Sequence, residues 1–319
     1  MLVFLIQIKN NMEKLPEKNN ILETKLFKID KENLEVQLQK IFGVLNTISK
    51  EYRFDTFSHF SYLNKKIKDT NKEINAVLFL DKWDYKSLDF IEEEKTGNCV
   101  EFAILCQKLL SDMNIPTTII GRYPEDGDYT DEQTKYLKYR HITPIYANDS
   151  SGELKIYILE PSWKFSKPVP LDIRSQSVYK DWVSKITEIN GNSFVQDAYS
   201  SKKNKHRVRK FDLMPLDIEW CNQLTKRFIR VPRELKILNT EDEEEVLFIR
   251  FNPKEQLFST NIKGVKSKFL LENLSMEEIF LLEKLMKKED LFKYLSDVFN
   301  FIKSLPEDFW IKDKIYEEK

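Results

Sequence analysis

The chain has 319 residues, 41% of them apolar and 32% charged, which is enough for a sizeable core and about two domains. Fifty-one Lys and Arg balance 52 Asp and Glu, for a net charge of −1. That balance excludes the global basic field of a nucleic-acid-binding or membrane-surface protein, and three cysteines exclude a disulfide scaffold and point to a reducing, cytoplasmic setting.

The longest apolar run, Leu2 to Ile6, is too short to span a membrane and lacks the flanks of a signal peptide. Residues 1–29 read as a lead-in. Asp30 is placed to cap a helix whose apolar positions are Leu34, Leu38, Ile41, Phe42, Leu45 and Ile48. Phe57, Phe60, Leu63 and Ile67 predict a second helix, and Ile74, Val77 and Leu78 a third. Cys99 to Met113 reads as a helix with Val100, Ala103, Ile104 and Leu110 on its apolar face. Gly97-Asn98 opens it and Asn114-Ile115-Pro116 ends it, because the residue before proline is driven out of the α region. Thr117 to Gly121 is strand-like. The acidic stretch Tyr123 to Lys135 is expected as an exposed loop and candidate lid. Two strands, Tyr139 to Ala147 and Leu154 to Glu160, flank a turn signal at Asn148 to Gly152.

Ser201 to Lys210 carries six Lys and Arg and is expected as a linker or loop. Beyond it come an acidic run, Glu241 to Glu245, and a hairpin of Val246–Phe251 and Gln256–Ile262 around Asn252-Pro253. A strand at Lys266–Leu271 follows. A capping box at Ser275 and Glu278 then opens a helix to Met286, with another to Phe301. The expected organisation is a lead-in over 1–29, a core over 30–200, a basic linker over 201–210 and a C-terminal extension over 211–319. Helices followed by antiparallel strands make an α+β pattern.

Cysteine and histidine are scarce, three of each. No Cys-x-x-Cys occurs, and no His/Cys cluster has zinc spacing. Cys99 and Cys106 are about 10 Å apart along one helix, too far for a shared metal or a disulfide. Cys99 differs from the others because it begins a helix, where the dipole and free N–H groups favour negative charge and can hold an oxyanion. A thiolate nucleophile also needs a base held by a third group. Reflecting the hairpin about a turn centred between Ser150 and Ser151 sets His141 opposite Glu160, close enough for a carboxylate to orient an imidazole. Cys106 and Cys221 read as core, His59 as a helix-packing residue, and Glu101 as a structural hydrogen-bonding group.

Gly97-Asn98-Cys99-Val100-Glu101-Phe102-Ala103, Leu109-Leu110 and Asn114-Ile115-Pro116 resemble the transglutaminase-like superfamily of papain-fold cysteine enzymes. In that family the His opens a strand, as His141 does. Its acid ends the next strand before Pro-(Ser/Thr), as in Glu160-Pro161-Ser162-Trp163. The resemblance implies an α+β papain-like core with Cys99 at a helix start on an antiparallel sheet, and a Cys99–His141–Glu160 triad. It implies acyl transfer through a covalent acyl-enzyme on a protein, peptide or small amide or thioester, without metal or cofactor. Glu160 in place of Asp, Ile142-Thr143 after the His, and Pro144 within the strand depart from the family pattern.

The chain is also similar to arylamine N-acetyltransferases, which share the Cys-His-acid core. Pro168-Val169-Pro170-Leu171 fits their post-acid segment, whereas Thr96-Gly97 stands where they have a double glycine. This second resemblance implies acetyl-CoA as substrate. A third reading keeps the fold as an interaction scaffold without catalysis.

Overall fold

The computed structural model describes residues 28–70, 75–123, 135–139, 141–152, 154–161, 168–171, 176–179, 182–190, 193–200, 204–231, 235–239, 247–252, 257–262, 265–286 and 289–311. Most of the expected lead-in and lid, Trp163, the Glu241–Glu245 run and the Pro253 turn lie outside these residues.

The described chain opens with a short strand, β1 (Ile29–Asp30), followed by helix α1 (Leu34–Glu51). Asn33, not Asp30, caps α1 by accepting the Val36 N–H at 3.2 Å, a bond worth about 1 kcal/mol to a helix. Asp30 is held in the strand instead, where its carboxylate accepts from the Glu32 N–H and the Tyr146 hydroxyl, each at 2.9 Å. Ile41, Leu45 and Ile48 of α1 are buried as the periodicity requires, but Phe42 lies on the exposed face. After β2 (Arg53–Phe54) come α2 (Ser58–Asp69), α3 (Ala76–Lys82) and α4 (Ser87–Glu94). The third helix forms, but it buries Ala76 and Leu80 and leaves Leu78 exposed.

A two-residue strand, β3 (Thr96–Gly97), pairs in parallel with β2 and delivers the chain into α5 (Cys99–Asp112). α5 buries Val100, Ala103, Ile104 and Leu110, together with Phe102, Leu105 and Cys106 on other sides. A helix apolar on most of its circumference belongs in the interior. α1, α2 and α4 pack on one side of it around Phe90, Ile91 and Tyr146.

The main sheet is antiparallel apart from the parallel β1–β5 pair. Its remaining strands are β4 (Thr118–Tyr123), β5 (His141–Asn148), β6 (Lys155–Ile158), β7 (Val169–Pro170), β8 (Gln176–Tyr179), β9 (Trp182–Asn190), β10 (Ser193–Ser200) and β11 (Lys205–Leu216). They run in the order β7-β6-β5-β4-β11-β10-β9-β8, and β1 joins the end of β5. The sheet is curled around Ile120, Ile145, Ile158, Phe194 and Phe211.

Residues 205–210, expected as linker or loop, are the first half of β11 in the middle of this sheet. His206, Val208 and Lys210 face outward, while Arg209 turns in and lies 3.5 Å from Gln196. The basic residues interrupt neither backbone pairing nor alternation, so a charge count alone misreads them.

An unanticipated helix, α6 (Ile218–Arg230), is capped by Asp217, which accepts the Trp220 N–H at 2.6 Å. Its Cys221, Leu224 and Phe228 pack into one cluster with Val100, Ala103 and Ile104 of α5. A second antiparallel sheet of β12 (Leu235–Asn239), β13 (Leu247–Asn252), β14 (Leu257–Ile262) and β15 (Val265–Phe269) follows, then α7 (Met276–Met286) and α8 (Leu291–Ser304). The Ser275–Glu278 capping box is formed. This C-terminal part shares one core with α2 and α3 through Phe57, Phe60, Phe251, Phe258 and Phe309. The Tyr294 hydroxyl of α8 donates to the fully buried Asp55 at 3.1 Å. Among the described residues no helix is long and apolar enough to cross a membrane.

Candidate active site

Cys99 is the first residue of α5 and is half-buried. Asn98 precedes it in an extended conformation, and its side-chain oxygen accepts the Val100 N–H at 2.7 Å. Glu101 closes the capping box by accepting the Asn98 N–H at 2.8 Å. First-turn N–H groups have no intrahelical acceptor, so this turn presents donors and a positive dipole end to the thiol. Gly97 is required just before it, because a Cβ there would stand 2.8 Å from the Glu101 Cβ.

His141 opens β5, opposite Arg122 of β4. Its Nε2 lies 2.8 Å from Glu160 Oε2, and both residues are buried. The β5–β6 register differs from the reflected one: Ile145 pairs with Ile158 and Asn148 with Lys155. The loop is longer than the turn signal implied, with an Asp149–Gly152 turn and Gly152 at a φ of 74°, and this moves its centre by one residue. A move of that size shifts each cross-strand partner by two positions, which preserves the face. Glu160 therefore approaches His141 diagonally from just beyond the end of β6.

A proline makes room for that approach. Continuing the observed register sets Pro144 opposite Leu159. The Leu159 N–H donates to the Pro144 carbonyl at 2.9 Å, but Pro144 has no N–H to return. The Thr143 hydroxyl donates to the Leu159 carbonyl in its place. The ladder stops there, and Glu160 is free of pairing. Pro144 thus sits within a central strand, between β4 and β6, where proline is otherwise rare.

The Cys99 side chain stands next to the His141 imidazole, close enough to act on its charge. Burial pulls the His141 pKa down, but the Glu160 charge, the adjacent Cys99 side chain and the Glu160 hydrogen bond outweigh it and raise it to about 9. The imidazole is therefore held as a cation at neutral pH, between the Cys99 sulfur and the Glu160 carboxylate.

The surrounding wall is aromatic. The Tyr139 ring lies over Gly121, so tightly that a Cβ would come within 2.2 Å of it, and its hydroxyl donates to Asp212 at 2.5 Å. Trp220 packs on Tyr139 and Tyr136 at centroid distances of 5.2 and 5.7 Å. Cys99 and Trp220 both border the cluster formed by Val100, Leu137, Tyr139, Ile142 and Cys221. Trp220 had no role in the sequence reading because α6 had not been recognised. Its signal was Asp217 ahead of Cys221, Leu224 and Phe228 at helical spacing.

Cys106 and Cys221 are fully buried, and burial pushes both thiols well up. His59 stacks on Phe90 at 4.5 Å, as a packing residue should, but its Nε2 also lies 3.3 Å from Glu101. His206 pairs with Asp197 on the exposed face of β11. Among the described residues no group of His, Cys, Asp and Glu could hold a metal ion.

No protein-family profile matches this chain, and neither does any curated protein. Solved structures do. The arylamine N-acetyltransferase of M. tuberculosis superposes with a TM-score of 0.53 at 10% identity, covering 83% of this chain and 93% of that one. A variant of the Mycobacterium smegmatis N-arylamine acetyltransferase gives 0.52 at 10% identity, over 85% and 93%. A Bacillus cereus arylamine N-acetyltransferase, described as having a unique Cys-His-Glu catalytic triad, gives 0.47 at 14% identity, over 77% and 88%. The chain therefore has the papain-like α+β fold of arylamine N-acetyltransferases.

Proposed function

We propose that the protein is a cysteine acyltransferase in which Cys99 is the nucleophile, His141 the general base and acid, and Glu160 the residue that orients His141. The observation that carries this reading is the juxtaposition of the helix-start thiol with His141, whose Nε2 is held by Glu160 at 2.8 Å. With Nε2 engaged by Glu160, Nδ1 is the ring nitrogen left for the thiol.

With the proton already on His141, Cys99 Sγ attacks the carbonyl carbon of an acyl donor as the thiolate. The tetrahedral oxyanion is held by the Cys99 N–H and the positive end of α5. Collapse breaks the bond to the leaving group, which takes the proton from His141, and leaves an acyl thioester on Cys99. An amine acceptor, or water, then gives its proton to His141 and attacks the thioester, releasing product and regenerating the pair. The fold of known acetyltransferases over most of the chain favours transfer over hydrolysis, an acetyl thioester such as acetyl-CoA as donor, and a small amine as acceptor. The Glu160 contact at 2.8 Å weighs against a decayed scaffold, because the extra methylene is accommodated.

Incubation with acetyl-CoA followed by intact-mass measurement and peptide mapping tests this. One acetyl group on Cys99, absent in Cys99→Ala and strongly reduced in His141→Ala, is the expected result. Failure of Cys99 to take an acyl group from acetyl-CoA or from an activated aryl ester would overturn the assignment.

A further inference from the structure

Glu101 lies two residues beyond the thiol and is fully buried. Its two oxygens do different work. Oε2 accepts the Asn98 N–H at 2.8 Å. Oε1 accepts the Thr225 hydroxyl of α6 at 2.8 Å and the Tyr85 hydroxyl, from the segment before α4, at 3.2 Å. On the same side it faces His59 Nε2 of α2 at 3.3 Å. The Cys221 thiol of α6 lies within electrostatic reach of both Glu101 and Cys99. Two helices, the segment before α4 and the nucleophile turn itself thus converge on one carboxylate. Leaving a buried carboxylate without partners is costly, so this set specifies a single arrangement. Cys99, at the first helical position, has no backbone N–H bond within the helix. Its place depends on the cap that Glu101 closes.

We infer that Glu101 is a positioning residue for the acyl transfer: anchored by His59, Tyr85 and Thr225, it fixes the Asn98–Cys99 turn so that the thiol is aimed at His141. The inference rests on the proposed function. It gives the Gly-Asn-Cys-Val-Glu stretch a single physical meaning. Gly97 lets the chain pass over the Glu101 side chain, Asn98 caps, Cys99 reacts and Glu101 locks the turn. It also assigns α6 a part in the site through Thr225, which is far from Glu101 in sequence.

The test is a double-mutant comparison on the full chain. Cys99 alkylation by iodoacetamide at neutral pH is followed by peptide mapping, and kcat and KM are measured with whichever acyl donor labels Cys99. Displacing a nucleophile by about 1 Å costs roughly a hundredfold in rate. Glu101→Ala is therefore expected to lower kcat by about that factor, with KM nearly unchanged. Glu101→Gln keeps an acceptor for the Asn98 N–H and is expected to restore most of the loss. Residues acting as one unit are non-additive, so Glu101→Ala should add little in the His141→Ala background. Should Glu101→Ala fail to fold, Thr225→Val carries the test, with a smaller alkylation loss that vanishes in the His141→Ala background. Losses that multiply, or alkylation unchanged by Glu101→Ala and Thr225→Val, would overturn the inference while leaving the Cys99–His141 pair intact. Alkylation insensitive to His141→Ala alone would overturn both.

Discussion

The Thr143 hydroxyl donates to the Leu159 carbonyl, the acceptor that Pro144 cannot serve. This bond ends β6 at Ile158 and leaves Glu160 outside the ladder, facing His141. Thr143→Val is expected to strand a buried carbonyl, lowering stability by about 1–3 kcal/mol, and to loosen Glu160. Thr143→Ser should restore both. Urea midpoints and kcat for the two variants check this.

Glu160 sustains the His141 cation. A group whose pKa rises on folding stabilises the fold fully below its unfolded value and loses that stabilisation as pH climbs through the folded one. For His141 the window runs from 6.5 to about 9, worth about 3 kcal/mol at most. Wild-type stability should therefore fall across that window. In Glu160→Gln the fall should shrink and end at lower pH, and the alkaline limb of kcat should move down with it. Thermal midpoints and rates from pH 6 to 10 measure both.

Glu101 has the opposite sign. Burial pushes its carboxyl up, but the facing His59 and the hydrogen bonds from Asn98 and Thr225 outweigh this and hold it at about 2. Its stabilisation is present above the ordinary value of 4.5 and is lost as pH falls toward 2. Glu101→Gln should flatten the acid side of the stability curve between those values, as read by denaturant titrations at successive pH.

Gly121 holds the Tyr139 ring in place by offering no side chain. Gly121→Ala would drive a methyl into that ring, with an expected cost of about 1–3 kcal/mol. It should also weaken the Tyr139–Asp212 bond. Tyr139→Leu in the same chain should recover part of the stability. Thermal midpoints of the single and double variants decide it.

The sequence shows parts of this site more clearly than others. Cys99 at a helix start was legible because glycine, asparagine and helical periodicity are local signals. His141 and Glu160 were paired through a register that was off by two positions, and the pairing survived because side chains in a strand alternate with a period of two. The same alternation hid β11: outward-facing His206 and Lys210, alternating with inward-facing Arg209 and Phe211, look like a solvated linker when only charge is counted. Gln176 to Ser200, which forms β8 to β10, mixes polar and apolar residues at the low contrast typical of half-exposed strands. The convergence of His59, Tyr85 and Thr225 on Glu101 had no local trace, because tertiary packing alone brings them together.

The most direct test of the account is the reactivity of the three cysteines in the native protein. Iodoacetamide is added at neutral pH, and each cysteine is quantified by peptide mapping in wild type and His141→Ala. Cys99 is expected to be alkylated rapidly while buried Cys106 and Cys221 stay unmodified, with the Cys99 rate reduced at least about tenfold in His141→Ala. A Cys99 that reacts no faster than the buried cysteines, or equally fast without His141, would contradict a thiol activated by its histidine.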